Sequence, residues 1–182
     1  KTTLCDLLLQ NYPEICYSVS CTTREPRANE EDGIDYHFVT IETFKKMIDE
    51  NQFLEYACVH DNYYGTLKEP IYQALRENQC VLLDIDVAGA KQVRQYVAGL
   101  AEEDPMRAGF VDIFINPPSM EDLEQRLVGR GTDKPEVIRK RLNNARAEMA
   151  HAGDYMHQVV NDDLDVAYRR LCDIINVRGQ FI

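Results

Sequence analysis

Residues 80–116 constrain the fold more than any other part of the chain. "CVLLDID" (80–86) is apolar at consecutive positions before it turns acidic, the pattern of a strand buried on both faces. "VAGAKQVRQYV" follows with helical spacing, and "FVDIFIN" (110–116) is a second apolar strand. A strand, a helix and a strand in that order form a βαβ unit, because parallel strands need a long crossover. The expected fold class is therefore α/β with a mainly parallel sheet.

The flanking sequence supplies more of the same alternation. Leu4, Leu7 and Leu8 give residues 2–10 a helical face, and "NYP" closes it. "YSVS" (17–20) and "IDYHFVT" read as strands. Thr40 can cap a helix over 41–51 that sets Phe44, Met47 and Ile48 on one face. "FLEYACVHDNYYGT" reads as two short strands around the turn "HDN", and Pro70 suits the first turn of the next helix. Further on, Ser119 and Asp122 resemble a capping box, Pro135 opens a helix to about Ala150, and "HQVVND" is a last strand before the helix "LDVAYRRLCDII". Residues 21–68 break the alternation and read as a mixed insert, and 98–109 as a solvated polar loop. No internal repeat or low-complexity tract is present.

A chain of 182 residues with a net charge of −11 suits one domain and argues against broad nucleic-acid binding. Any anion it handles must be caught by a local cationic cluster. The six cysteines contain no C-x-x-C pair, so free thiols in a reducing compartment are expected and a zinc site is not. His37, His60, His151 and His157 have no metal spacing. The apolar runs are too short for a bilayer span, so the expected setting is cytoplasmic, with neither membrane nor nucleic acid as partner. The chain starts at Lys1 without methionine and is expected to be a fragment.

Ligands of open parallel α/β sheets bind beyond the carboxyl ends of the strands, and "SVSCTTREPR", "LLDID" and "VVND" all fall at such ends. Arg24 and Arg27 stand beside the hydroxyls of Ser20, Thr22 and Thr23 in a loop broken by Pro26. Guanidinium forks of this kind suit a phosphate, and a solvated surface loop is the alternative. Asp84 and Asp86 would share a strand face if the strand ran to 86, where they could organise magnesium; Asp86 could instead cap the next helix. Residues 126–141 hold six basic side chains against two acidic ones, a mobile phosphate-closing segment or a solvated helix pair. Lys1 and Thr2 ahead of a helix match the end of a P-loop, a weak signal alone.

Taken in order and at these spacings, "SVSCTTREPR…E…G.DYHFV", "FLEYACVHDNYYGT", "VLLDIDVAGAKQV", "PPSMEDLEQRLVGRGT" and "VVNDDLDVAYRRL" resemble the guanylate kinase family over nearly the whole chain. The resemblance implies a three-layer P-loop kinase core (1–20, 80–125 and 151–182), a mixed α/β GMP-binding insert at about 21–79, and a helical lid at about 126–150. It implies that Arg24, Arg27, Tyr36 and Tyr64 hold the GMP phosphate, and that Ser20, Glu55, Thr66 and Asp86 lie at the guanine. Lys1, Thr2, Thr3, Arg126, Arg130 and Asn161 would contact ATP. Lys1, Arg126, Arg130 and Arg141 would serve the transfer itself, with Thr2 and Asp84 (through water) at magnesium. The implied reaction is Mg2+-dependent transfer of the ATP γ-phosphoryl group to GMP, by a monomer or small homo-oligomer. A noncatalytic scaffold domain that binds phosphorylated proteins through the same arginine–tyrosine pocket is the alternative. Asn29 and Cys21 depart from the family's frequent glycine and serine.

Overall fold

The computed structural model describes residues 1–59, 61–129 and 134–176. In chain order the elements are α1 (Thr2–Asn11), β1 (Ile15–Tyr17), β2 (Cys21–Thr22), β3 (His37–Phe38), α2 (Ile41–Asp49), β4 (Phe53–Val59) and β5 (Asn62–Leu67). They continue with α3 (Lys68–Arg76), β6 (Cys80–Leu82), α4 (Val87–Ala98), α5 (Pro105–Gly109), β7 (Ile113–Asn116), α6 (Met120–Gly129), α7 (Pro135–Met149), β8 (His157–Val160) and α8 (Leu164–Asn176). Two compact units result: Leu9–Phe110, and Lys1–Leu8 together with the chain from Val111 onward.

Within the first unit, β1 lies parallel to β6, with Ile15 opposite Cys80. Ser18 extends this ladder by donating its N–H to the Leu82 carbonyl at 3.1 Å. The chain then leaves β6 and enters a second sheet of order β3-β2-β5-β4, in which β2 is antiparallel to β5 and parallel to β3. The expected strand over 17–20 falls mostly in the connection between β1 and β2: only Tyr17 is in a strand, and Ser20 sits just before β2. "IDYHFVT" likewise shrinks to His37–Phe38, because β2 offers it only two partner residues.

The β4–β5 hairpin fixes the register that matters most, with Glu55 opposite Thr66 and a shift between Phe53 and Glu55. On one side of it, Phe44 from α2 stacks on Phe53 at 4.3 Å and Tyr63 at 5.3 Å between ring centroids. On the other, Leu54 joins Ile71, Val93, Val97 and Met106 in a buried cluster. The second cluster explains why 98–109 is not a solvated loop. Asp104 caps α5 by accepting from the Met106 N–H at 2.9 Å, the Tyr72 hydroxyl donates to Asp104, and Met106 is buried. Pro105 at the helix start and one apolar side chain in a polar stretch were the available sequence cues.

β6 ends at Leu82, so Asp84 and Asp86 do not share a strand face; Asp86 caps α4 instead, accepting from the Gly89 N–H at 2.8 Å. In the second unit β7 and β8 are parallel, Ile113 opposite His157, and α6 and α7 form the crossover between them. Ser119 accepts from the Asp122 N–H at 3.0 Å and its hydroxyl bonds the Asp122 carboxylate, so the expected box closes onto the side chain of the cap. Leu4, Leu8, Val159 and Ala167 are buried in this unit.

Phe44 is fully buried between two stacked rings, so Phe44→Ala should lose about 3–5 kcal/mol of stability in urea unfolding. A loss below about 1 kcal/mol would show that the α2 contact does not hold the hairpin.

Candidate active site

The first unit contains a cavity of about 320 Å³ whose lining includes Ser20, Tyr36, Glu55, Tyr64, Asp84 and Asp86. Local chain geometry brings them together. Ser20 leads into β2, Tyr36 precedes β3, and Tyr64 and Glu55 come from the paired strands β5 and β4. Asp84 and Asp86 occupy the short connection between β6 and α4.

Glu55 is the chemically unusual member. Its residue is only 8% exposed, and its Oε1 accepts a 2.6 Å hydrogen bond from the Thr66 hydroxyl. Burial pushes its carboxyl up from the ordinary glutamate value; the Thr66 bond opposes this, and the nearby Asp86 charge adds to it. A buried carboxylate needs donors, and Thr66 supplies its hydroxyl and its backbone N–H. The remaining acceptor capacity suits a ligand edge carrying two adjacent N–H donors.

Tyr64 lies two residues before Thr66 on β5, with Arg24 just after β2 and Tyr36 just before β3. Tyr36 and Tyr64 meet edge to face at 6.0 Å between centroids, and the Arg24 guanidinium lies 5.5 Å from the Tyr36 ring centre. Glu30 grips Arg24 with both carboxylate oxygens, each at 2.9 Å, and accepts from the Arg27 backbone N–H at 2.8 Å. The Arg27 side chain is mostly exposed, 3.7 Å from Glu30. The Glu30 hydrogen bond, aided by Tyr64, holds Arg24 firmly in its charged form, and Arg24 in turn holds Glu30 below the usual carboxylate range. Glu30 escaped the sequence reading, although an acid three residues after Arg27 was a visible cue.

In the second unit Lys1 lies at the start of α1, and its carbonyl accepts from the Leu4 and Cys5 N–H groups. Thr2 and Thr3 open that helix and are exposed. Arg126, from α6, donates to the carbonyls of Asn161 at 2.8 Å and Asp162 at 3.2 Å, just beyond β8. Arg141 is an exposed residue of α7; Arg130 and His60 lie outside the described residues. No group of three or more His, Cys, Asp or Glu side chains able to hold a metal occurs among the described residues. A separate open hollow lined by Glu121, Glu124 and Gln125 has the wrong charge for a phosphate ligand.

The family model for guanylate kinase matches residues 1–178. The chain belongs to the guanylate kinase family. Among its relatives, the guanylate kinase of Zymomonas mobilis is 46% identical over 177 residues, covering 97% of this chain and 78% of that protein. The guanylate kinase of Paramagnetospirillum magneticum is 48% identical over 165 residues, covering 91% and 73%. The crystal structure of guanylate kinase from Anaplasma phagocytophilum superposes with a TM-score of 0.74 at 31% identity, covering 97% of this chain and 81% of that one. As a member of this family of enzymes, the chain is a nucleoside monophosphate kinase. Among the described residues no helix is long and apolar enough to cross a membrane.

The raised Glu55 pKa has a stability consequence with a definite sign. The folded chain keeps this proton to higher pH than the unfolded chain, so folding loses stability as pH rises above the ordinary value of 4.5. Glu55→Gln keeps the oxygen that accepts from Thr66 and removes the charge. Its melting temperature should exceed the parent's at neutral pH, and the gap should close as pH falls toward 4.5. A gap independent of pH would contradict the burial argument.

Proposed function

We propose that this kinase transfers the γ-phosphoryl group of ATP to GMP, giving ADP and GDP. The observation that carries the substrate assignment is the buried Glu55 carboxylate, held by Thr66 and facing a cavity that Ser20 and Asp86 also line. Guanine presents an N1–H and an exocyclic amine side by side, whereas adenine presents an acceptor at N1; a carboxylate there favours guanine. Buried acceptors left unpaired by the wrong base are what reject it.

In this reading Ser20, Glu55, Thr66 and Asp86 form the base end, while Arg24, Arg27, Tyr36 and Tyr64 take the GMP phosphate. Guanidinium forks and phenol hydroxyls are strong donors to phosphate oxygens. Lys1, Thr2, Thr3, Arg126, Arg130 and Asn161 take ATP, and Lys1, Arg126, Arg130 and Arg141 neutralise charge on the group in flight. The parts correspond to an insert at about 21–79, a lid at about 126–150, and the remaining core. Thr2 supplies a hydroxyl and Asp84 a carboxylate (the latter through water), hard oxygen donors of the type Mg2+ takes. Magnesium bound with ATP would neutralise phosphate charge. Loose transition states of this reaction need positioning and electrostatics, so no general base is assigned.

A coupled assay of ADP formation with ATP and Mg2+ should show turnover of GMP and little of AMP or CMP. Equal turnover of all three would refute the guanine assignment. Arg27→Ala should raise the GMP KM about tenfold or more, the loss of a charge-assisted hydrogen bond, with the ATP KM almost unchanged. An equal rise in both would remove Arg27 from the GMP phosphate.

A further inference from the structure

We infer that Gly89 is a specificity-determining position: its missing side chain lets the Glu55 carboxylate sit where it can read the purine edge. This rests on the reading of Glu55 as the base-recognising group. Gly89 is the third residue of α4 and is buried. A Cβ at this position would fall 2.8 Å from Glu55 Oε2, 3.3 Å from its Cδ and 3.4 Å from the Ile85 Cβ. The first distance is too short to persist, while the last is close to ordinary packing.

The carboxylate is the group that must yield. α4 is fastened to β4 one turn further on, where Gln92 accepts from the Tyr56 N–H at 3.2 Å and donates to the Tyr56 carbonyl at 3.0 Å. Val93 and Val97 of the same helix are buried with Leu54, the neighbour of Glu55. The Gly89 N–H is itself tied to Asp86. The helix is held, so the end of the Glu55 side chain is the movable part. Glu55 Oε1 is bonded to Thr66, so a methyl group pressing on Oε2 turns the carboxylate off that hydroxyl or out into the cavity. Either movement shifts its acceptors away from the purine N1–H and exocyclic amine. Gly89 has no left-handed backbone angle, and alanine is the better helix former, so the substitution does not weaken α4 through its backbone.

Hypoxanthine keeps the N1–H and lacks the exocyclic amine, so the ratio of kcat/KM for GMP over IMP reports where the carboxylate sits. Gly89→Ala should lower that ratio about tenfold, with the ATP KM within about twofold and a melting temperature equal to or above the parent's. Adding Glu55→Asp, which withdraws the carboxylate by one methylene, should recover part of the ratio relative to Gly89→Ala alone, although Glu55→Asp by itself lowers it. A Gly89→Ala protein with the parental ratio would overturn the inference. So would one that melts lower or fails to fold, because the strain would then fall on the fold and not on the carboxylate. A parent enzyme that does not prefer GMP to IMP would instead refute the base-reading role of Glu55, and the inference with it.

Discussion

The hydrogen bond from the Thr66 hydroxyl to Glu55 ties the chemistry of this chain to its fold. It crosses the antiparallel β4–β5 hairpin, and the strand register sets the two residues opposite one another. Burying a carboxylate is costly, and here the Thr66 hydroxyl and backbone N–H and the polar cavity keep the cost tolerable. The neighbouring structure serves that placement. Phe44 and its stacked rings brace one face of the hairpin, and Gln92 clamps α4 against the other side of β4.

The arginine loop poses the opposite problem. In a chain with a net charge of −11, Glu30 ties the cationic loop together: it accepts from the Arg24 guanidinium and the Arg27 backbone N–H and stands 3.7 Å from the Arg27 side chain. Besides Glu30, the Arg24 Nη1 group donates to the Glu25 carbonyl at 2.8 Å. In the proposed GMP reading, base recognition by buried Glu55 and phosphate recognition by the arginine loop share one small sheet.

The architecture was largely legible in the sequence because helices and strands with one buried face announce themselves by period. α2 with Thr40 and Phe44, the β4–β5 hairpin and α7 after Lys134 fall where the pattern sets them. Short strands were less legible. Two residues of pairing, as in β2 and β3, leave no periodicity, so the break between β1 and β2 depends on partners far away in the chain. α5 was hidden because its single buried Met106 finds its neighbours only after α3 and α4 have packed. At the site, the residues named from the family resemblance could be pointed to singly. What holds them could not: the Glu30 bridge, the Gln92 clamp and the Gly89 contact all join side chains through tertiary geometry.

Proton linkage tests most directly whether a buried, proton-avid Glu55 receives the guanine. Calorimetric titration of GMP in buffers of different ionisation enthalpy, at a pH just above 4.5, counts the protons that move on binding. The purine N–H donors favour the charged carboxylate, so the parent should release more protons than Glu55→Gln, the phosphate contribution being common to both. Equal proton release by the two proteins would mean that GMP does not engage this carboxylate.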